Sequence, residues 1–156
     1  MPNWCENRVR IDGPVDKIYN MAKAIEEERL LEYMVPLKKD GGYGTSATEH
    51  WGTKWDICEP YMEHTVEDGV IEVSFMSAWS PPIEAFDTYL SQNEDVTIEH
   101  FYYEPGNAFT GVDGEMFEVP DTKSDEWENN SLLQACDEVF GIREEMMQWE
   151  EENEEI

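Results

Sequence analysis

The sequence predicts an α+β domain in which an antiparallel sheet carries two helices on one face. Several short segments alternate apolar and polar residues, two of them lead into segments with apolar residues at helical spacing, and proline stands at both helix starts. With 156 residues the chain is long enough for one domain with its own core. Six Trp, seven Tyr and six Phe set it apart from disordered acidic chains, which contain few aromatic residues.

The first strand is predicted over residues 5–11, where a mainly apolar face alternates with a charged one. Pro14 suits the first position of a helix, and the apolar residues that follow it recur at helical spacing. These features predict a helix over about 14–29. Residues 36–50 are rich in glycine and small polar residues and predict a long loop.

A second strand is predicted over residues 53–66, although its alternation is irregular. Pro60 indicates a bulge or a sheet edge within it, because proline cannot donate to a strand ladder. Asp68-Gly69 is a strong hairpin-turn signal. Regular alternation then predicts a third strand over 70–79.

A second helix is predicted over 81–92, with Ser80 as its N-cap and proline at its first position. A fourth strand is predicted over 96–104. It has apolar or aromatic residues on both sides, so we expect both of its faces to be covered. A hairpin follows over 109–119, turning at Asp113-Gly114.

The last part of the chain is predicted to be helical and acidic. Residues 120–130 predict a polar linker or ordered loop, and Ser131 opens a capping-box pattern. One helix is expected over about 131–150, weakened at Gly141 by about 1 kcal/mol relative to alanine.

The predicted order, β-α-β-β-α-β followed by a hairpin and a helix, is that of the ferredoxin-like split βαβ arrangement. We therefore expect a ferredoxin-like domain over residues 1–119. Residues 120–156 are expected to form an acidic loop and helix that pack on this domain or extend from it, within a single domain overall.

Four stretches carry a resemblance to a known family. They are Met1-Pro2-Asn3-Trp4-Cys5, Trp51-Gly52-Thr53-Lys54-Trp55-Asp56, Ala78-Trp79-Ser80-Pro81-Pro82, and Tyr102-Tyr103-Glu104 before Gly106. Together they resemble the YubB-like ferredoxin-like family of small phage and plasmid proteins. The resemblance spans about residues 1–119 and implies the fold and a mobile-element origin. It implies no functional residue, and the acidic stretch after residue 120 lies outside it.

The charge is distributed very unevenly along the chain. Residues 1–54 are close to neutral, with eight basic and nine acidic side chains. Residues 55–156 carry 28 acidic side chains against Lys123 and Arg143, which leaves them near −26 of the total −27. Salt adaptation of the surface is an alternative explanation, but it predicts a more even distribution. A pI near 4.1 argues against direct binding of nucleic acid or of an anionic membrane.

The acidic region instead indicates a basic partner. Because duplex DNA shows one charge per roughly 1.7 Å, 26 charges correspond to about 44 Å of duplex. We therefore predict a non-enzymatic inhibitor that mimics nucleic-acid charge and blocks a DNA- or RNA-handling protein of the host, such as a nuclease, a restriction or CRISPR component, or a polymerase. Eleven carboxylates are the candidate partner-binding residues: Asp121, Asp125, Glu126, Glu128, Asp137, Glu138, Glu144, Glu145, Glu150, Glu151 and Glu152.

Two other functions stay open from the sequence. The first is an adaptor whose acidic helix docks one basic partner without mimicry. The second is a small-ligand-binding protein that uses a pocket lined by the tryptophan motifs. The candidate pocket residues are Trp51, Lys54, Trp55, Asp56 and Trp79. The same tryptophans would alternatively pack the open end of the sheet.

We expect no metal, no cofactor and no catalytic residue. His50, His64 and His100, with Cys58, match no zinc-ligand spacing. The sequence contains neither GxxxxGK[ST] nor GxGxxG. Three scattered cysteines favour a reducing cytoplasm, and the sequence shows neither a signal-peptide pattern nor an apolar stretch of membrane-spanning length.

Overall fold

The computed structural model describes residues 3–37, 43–63 and 68–154. The strands are β1 (Trp4–Asp12), β2 (Cys58–Met62), β3 (Val70–Ala78), β4 (Thr97–Glu104), β5 (Phe109–Val112) and β6 (Glu115–Glu118). The helices are α1 (Val15–Glu26), α2 (Leu30–Met34), α3 (Tyr43–Trp51), α4 (Ile83–Gln92), α5 (Glu126–Asn129), α6 (Ser131–Phe140) and α7 (Ile142–Glu154).

The strands form one antiparallel sheet in the order β2-β3-β1-β4-β5-β6. Its first four strands, with α1 and α4 as the crossover helices, have the ferredoxin-like topology that the sequence predicted. The register places Val9 of β1 opposite Val73 of β3 and His100 of β4. The prediction that the first and third strands share one sheet is therefore confirmed.

The main core lies between the inner face of this sheet and α1 to α4. Buried residues of β1 and β3 contribute one side of it, among them Ile11, Ile71 and Phe75. Ile18 of α1 and Phe86 of α4 pack against them. Burial of these apolar side chains, worth about 1.5–3 kcal/mol each when complete, holds the helical layer on the sheet.

The segment between α1 and β2 differs from the prediction. Within residues 36–50, the described part from Tyr43 is helical and not a loop, and residues 38–42 lie outside the described residues. Ala47 and Trp51 are buried in the main core, and the Trp51 indole N–H donates to the Val35 carbonyl oxygen at 2.9 Å. These buried contacts fix α3 despite its glycine-rich surroundings.

The second strand is shorter than predicted. Residues 53–57 form a turn, β2 begins at Cys58, and residues 64–66 lie outside the described residues. The register between β2 and β3 shifts between Cys58 and Tyr61, so the bulge that Pro60 indicated is present at the sheet edge.

The prediction that Ser80 caps the second helix is wrong. Pro82 occupies the N-cap position, and α4 begins at Ile83. The Ser80 hydroxyl donates instead to the carbonyl oxygen of Gly52, which ties the start of α4 to the turn before β2.

The C-terminal segment covers part of the outer face of the sheet. A second cluster of buried residues joins β4 and β5 to the helices, as both faces of the fourth strand were predicted to be covered; its members are Tyr103, Val112, Trp127, Leu133, Cys136 and Ile142. The β5–β6 hairpin lies at the far edge of the sheet.

The expected single helix over 131–150 is two helices. Gly141 has a φ of 63° and ends α6 in the left-handed conformation, so the chain changes direction before α7. Asn130 caps α6 in place of Ser131, because its side-chain oxygen accepts the backbone N–H groups of Leu132 and Leu133. The predicted linker also contains the short helix α5.

Candidate partner-binding surface

Arg143 holds the C-terminal helices together. Its Nε donates to the Thr122 carbonyl oxygen at 2.8 Å, and its Nη1 lies 2.8 Å from a Glu128 carboxylate oxygen. The guanidinium also stacks 5.8 Å above the buried ring of Trp127. One cation therefore connects α7 to α5 and to the segment before it.

Two further candidate carboxylates have structural partners. Asp137 Oδ1 accepts the backbone N–H of Arg143 at 2.8 Å and so caps the first turn of α7. The Glu150 carboxylate accepts the Thr122 hydroxyl at 3.2 Å, which fixes the middle of α7 against the preceding segment. These two residues, with Glu128, position the helices as well as adding charge.

The other candidate carboxylates are exposed: Asp121, Asp125, Glu126, Glu138, Glu144, Glu145, Glu151 and Glu152. All eleven candidates lie on α5 to α7 or directly before α5, and together they are called the C-terminal acidic surface. The helices pack on the sheet through the second cluster, so these charges are presented on ordered elements.

The acidic surface continues onto the sheet at Glu6. Partial burial of Glu6 and the nearby charge of Glu145 raise the pKa of the Glu6 carboxyl above its ordinary value, while Arg8 lowers it. Burial raises the pKa of the neighbouring Tyr103 to about 12, with Glu145 and Glu6 adding to the shift. The boundary between β1 and α7 therefore concentrates negative charge.

Apolar side chains project from the same surface. Trp149 and Met147 of α7 are 65% and 48% exposed, among the carboxylates of that helix. The sequence predicts Trp149 on the apolar side of a single helix over about 131–150, and its exposure differs from that prediction. The break at Gly141 changes which face of the last helix meets the sheet.

The candidate ligand-pocket residues are divided between core and surface. Trp51 is buried, and Asp56 accepts the backbone N–H groups of Leu31, Glu32 and Ile57 at 2.8–3.0 Å. Burial raises the pKa of Asp56, and these three hydrogen bonds oppose that shift. Trp51 and Asp56 thus stabilise the junction of α2, α3 and β2.

The remaining pocket candidates are exposed. Trp55 and Trp79 are 45% and 44% exposed, and the Trp55 ring lies 6.2 Å from that of Trp4. The Lys54 ammonium sits 5.6 Å from the Trp55 ring centroid. These residues form an exposed aromatic patch near the end of the sheet where β1 starts.

The motif Tyr102-Tyr103-Glu104 has a structural function that sequence analysis missed. Glu104 is fully buried, and its carboxylate accepts the backbone N–H groups of Gly106, at 3.0 Å, and Asn107. A Cβ atom at Gly106 would lie 2.7 Å from the same carboxylate, so glycine is required there. The pattern of a glutamate two residues before a glycine is the sequence signal for this turn.

The histidines are not brought together among the described residues. His100 is buried, its Nε2 lies 2.7 Å from Asn7 Oδ1, and burial lowers its pKa to about 3. His50 is exposed on α3, and His64 lies outside the described residues. Within the described ranges, no three His, Cys, Asp or Glu side chains are grouped as metal ligands.

Nucleophilic chemistry is disfavoured at Cys5, because burial raises the pKa of its thiol to about 12 and keeps it protonated at neutral pH.

Among the described helices, we find none with the length and apolar character that crossing a bilayer requires.

The outer face of β1, β2 and β3 forms an open groove beside α6. The groove has a volume of about 590 Å³, and its lining includes Arg8, Tyr61, Phe101 and Glu138. Sequence analysis did not identify it, because the groove depends on the strand order and on how far the C-terminal helices extend over the sheet.

The fold and this surface define a ferredoxin-like α+β protein with an acidic helical extension. A family model described as "Ferredoxin-like domain in Api92-like protein" matches residues 50–155. The chain belongs to this family. The matched region includes the C-terminal acidic surface, which the resemblance to YubB-like proteins left out. No curated protein and no solved structure matches the chain significantly.

Proposed function

We propose that the protein is a non-enzymatic inhibitor that mimics the charge of nucleic acid and blocks a basic DNA- or RNA-handling protein of the host. The observation that supports this most strongly is the display of exposed carboxylates on α5 to α7. Residues 55–156 contain two basic side chains, and one of them, Arg143, is engaged in holding the helices together.

The dimensions are compatible with mimicry. Helix α7 has 13 residues and six glutamates. Its length is about 20 Å, a distance over which duplex DNA presents roughly twelve phosphates. The other exposed carboxylates of α5 and α6 add to this density. A DNA-binding channel would therefore attract the surface by the long-range steering that draws in its own substrate.

The cost of such a surface also supports a binding function. Like charges close together destabilise a folded protein, and Glu6 and Glu145 show such a pair at the boundary of sheet and helix. The second buried cluster offsets this repulsion. A cationic partner surface would relieve this repulsion, because it would neutralise the exposed carboxylates on these helices in a complex.

The setting of the protein is part of the proposal. The resemblance to YubB-like phage and plasmid proteins favours a mobile-element origin, and such elements benefit from blocking host nucleases, restriction systems, CRISPR components or polymerases. The scattered cysteines favour action in the host cytoplasm.

A second candidate function is an adaptor for one specific basic partner. The exposed Trp149 and Met147 favour it, since aromatic anchors dominate the energetics of specific protein interfaces. The exposed aromatic patch of Trp4, Trp55 and Trp79 supports the third candidate, a small-ligand binder.

Competition for DNA separates these functions. The protein is added to complexes of a labelled 20-base-pair duplex with three unrelated basic DNA-binding proteins at about 50 mM salt, where charge interactions are weakly screened. A mimic displaces the duplex from all three, whereas an adaptor or ligand binder leaves at least two complexes intact. Polyglutamate of equal net charge is the control, and it should compete less well because its charges are on a flexible chain.

A further inference from the structure

Among the described residues, part of the outer face of the sheet is left uncovered by the helices. Helices α1 to α4 cover its inner face, and the C-terminal helices cover the outer face over β4 and β5. The outer face of β1 to β3 lies open beside α6 and forms the floor of the 590 Å³ groove. A volume of this size falls within the range of roughly 300–1,000 Å³ that is typical of protein binding sites.

The two arginines that line this groove have partners within the protein. Arg10 lies 3.1 Å from Asp12 and 3.0 Å from Glu72. The Arg8 guanidinium lies 5.6 Å above the ring of Phe140 in α6. Arg10 is therefore engaged by two carboxylates, while Arg8 contacts Phe140 and its charge lowers the pKa of Glu6.

Three other carboxylates in the groove differ from those that pair with Arg10. Glu63, Glu99 and Glu138 are exposed and line the groove from the residue after β2, from β4 and from α6. Within the described residues, the ion pairs are formed by carboxylates other than these three. Two aromatic rings, Tyr61 and Phe101, lie in the same lining.

We infer that this groove binds a segment of the basic partner that carries arginine or lysine side chains. The aliphatic stems of these side chains pack on Tyr61 and Phe101, and their charged groups reach Glu63, Glu99 and Glu138. Glu138 belongs also to the C-terminal acidic surface, so the groove extends that surface onto the sheet. The inference rests on the proposed function, because it specifies where the partner's cations are received.

A labelled six-residue peptide with arginine and leucine in alternation is a direct probe. We expect Glu63→Gln, Glu99→Gln and Glu138→Gln together to raise its Kd about tenfold at 0.15 M salt, the sum of three modest charge contacts. The matched variant, Glu26→Gln, Glu49→Gln and Asp87→Asn, removes the same charge from exposed positions on the inner-face helices and should change the Kd less than about threefold. Circular dichroism verifies that both variants are folded.

Tyr61→Ser tests the apolar part of the site. Tyr61 is 63% exposed on the edge strand, so the fold should tolerate the change. Weaker peptide binding that persists at about 0.5 M salt supports packing on the ring, because such salt screens exposed charges. Equal loss of binding in both triple variants, or no loss in the groove variant, overturns the inference that the groove binds the peptide. DNA displacement by the same groove variant then shows whether the proposed function stands without it.

Discussion

Glu6 on β1 and Glu145 on α7 interact as like charges across the boundary between the sheet and the last helix. Burial and the Glu145 charge raise the pKa of Glu6, so the folded protein holds the Glu6 proton more tightly than the unfolded chain does. Stability from this site is full when Glu6 is protonated and is lost as the pH rises through the raised pKa. At neutral pH the pair therefore destabilises the fold.

Glu145→Gln should stabilise the free protein at pH 7 by about 0.5 kcal/mol, because it removes the repulsion on Glu6. The gain should disappear as the pH falls through the raised pKa of Glu6, since protonation of Glu6 removes the repulsion. Urea denaturation at a series of pH values measures this. Glu151→Gln, at the exposed end of α7, is the control with a smaller effect, and equal gains in both variants would show that the effect is only one of net charge.

Arg143→Met should destabilise the protein by about 1–3 kcal/mol, since it leaves the Thr122 carbonyl and the Glu128 carboxylate without their donor. Lys123→Met removes the same charge from an exposed position and should stay within about 0.5 kcal/mol of the wild type. Thermal unfolding compares the two variants. If both lose the same stability, charge and not the contacts of Arg143 holds the helices.

Asp56→Ala should lower the free energy of unfolding by about 1–2 kcal/mol, as for loss of a helix cap, because three backbone N–H groups lose their acceptor. Asp87→Ala, on the exposed face of α4, is the control and should have little effect. Denaturant titration in the absence of any ligand is the measurement. Unchanged stability of the Asp56 variant would favour a binding function for this carboxylate over the structural one.

Gly141→Ala should cost about 1 kcal/mol, since the left-handed backbone strains a residue with a Cβ atom. Nothing lies within 4 Å of a Cβ built at this position, so steric contact adds nothing to the cost. Gly141→Asn should cost less, because asparagine tolerates this conformation. Equal stability of the alanine variant and the wild type would mean that α6 and α7 join as one helix in solution.

The regular strands were predictable because their alternation reflects one buried face. In β1 the buried residues Cys5, Asn7, Val9 and Ile11 occur at every second position, and the structure buries all four. Helix α3 was not predictable, because its order depends on the packing of Ala47 and Trp51 against distant segments. Local composition there favoured a loop.

The break between α6 and α7 was not predictable from helix propensity alone. The sequence predicts Gly141 within one helix as a weakening residue, whereas glycine at this position ends α6 in a left-handed turn. A helix with the same apolar residues but no break would present a different face to the sheet. The exposure of Trp149 follows from the break.

The acidic character of the candidate surface was evident from charge counts alone. The charge counts did not show which carboxylates form hydrogen bonds within the protein, since Asp137 and Glu150 find their partners through contacts between different segments. The groove was missed for a similar reason. Its residues come from five separate elements, and the alternation of charged residues on the outward face of β1 was the available signal.

The proposed function requires that carboxylates on the last helix compete with nucleic acid for a basic protein. The measurement is DNA displacement, at about 50 mM salt, by a variant with four acid-to-amide changes at Glu144, Glu145, Glu151 and Glu152. Glu150 is kept because of its bond to Thr122. The matched control removes four charges from exposed positions on, or directly after, the helices of the inner face: Glu26, Glu49, Asp87 and Glu94.

We expect the α7 variant to need about tenfold more protein for half displacement, and the difference should shrink as salt rises. The control variant should stay within about threefold of the wild type, because its charges lie on the other side of the sheet. Equal loss of DNA displacement in both variants would show that only the net charge of the protein matters. Full displacement by the α7 variant, or none by the wild type, would contradict the claim.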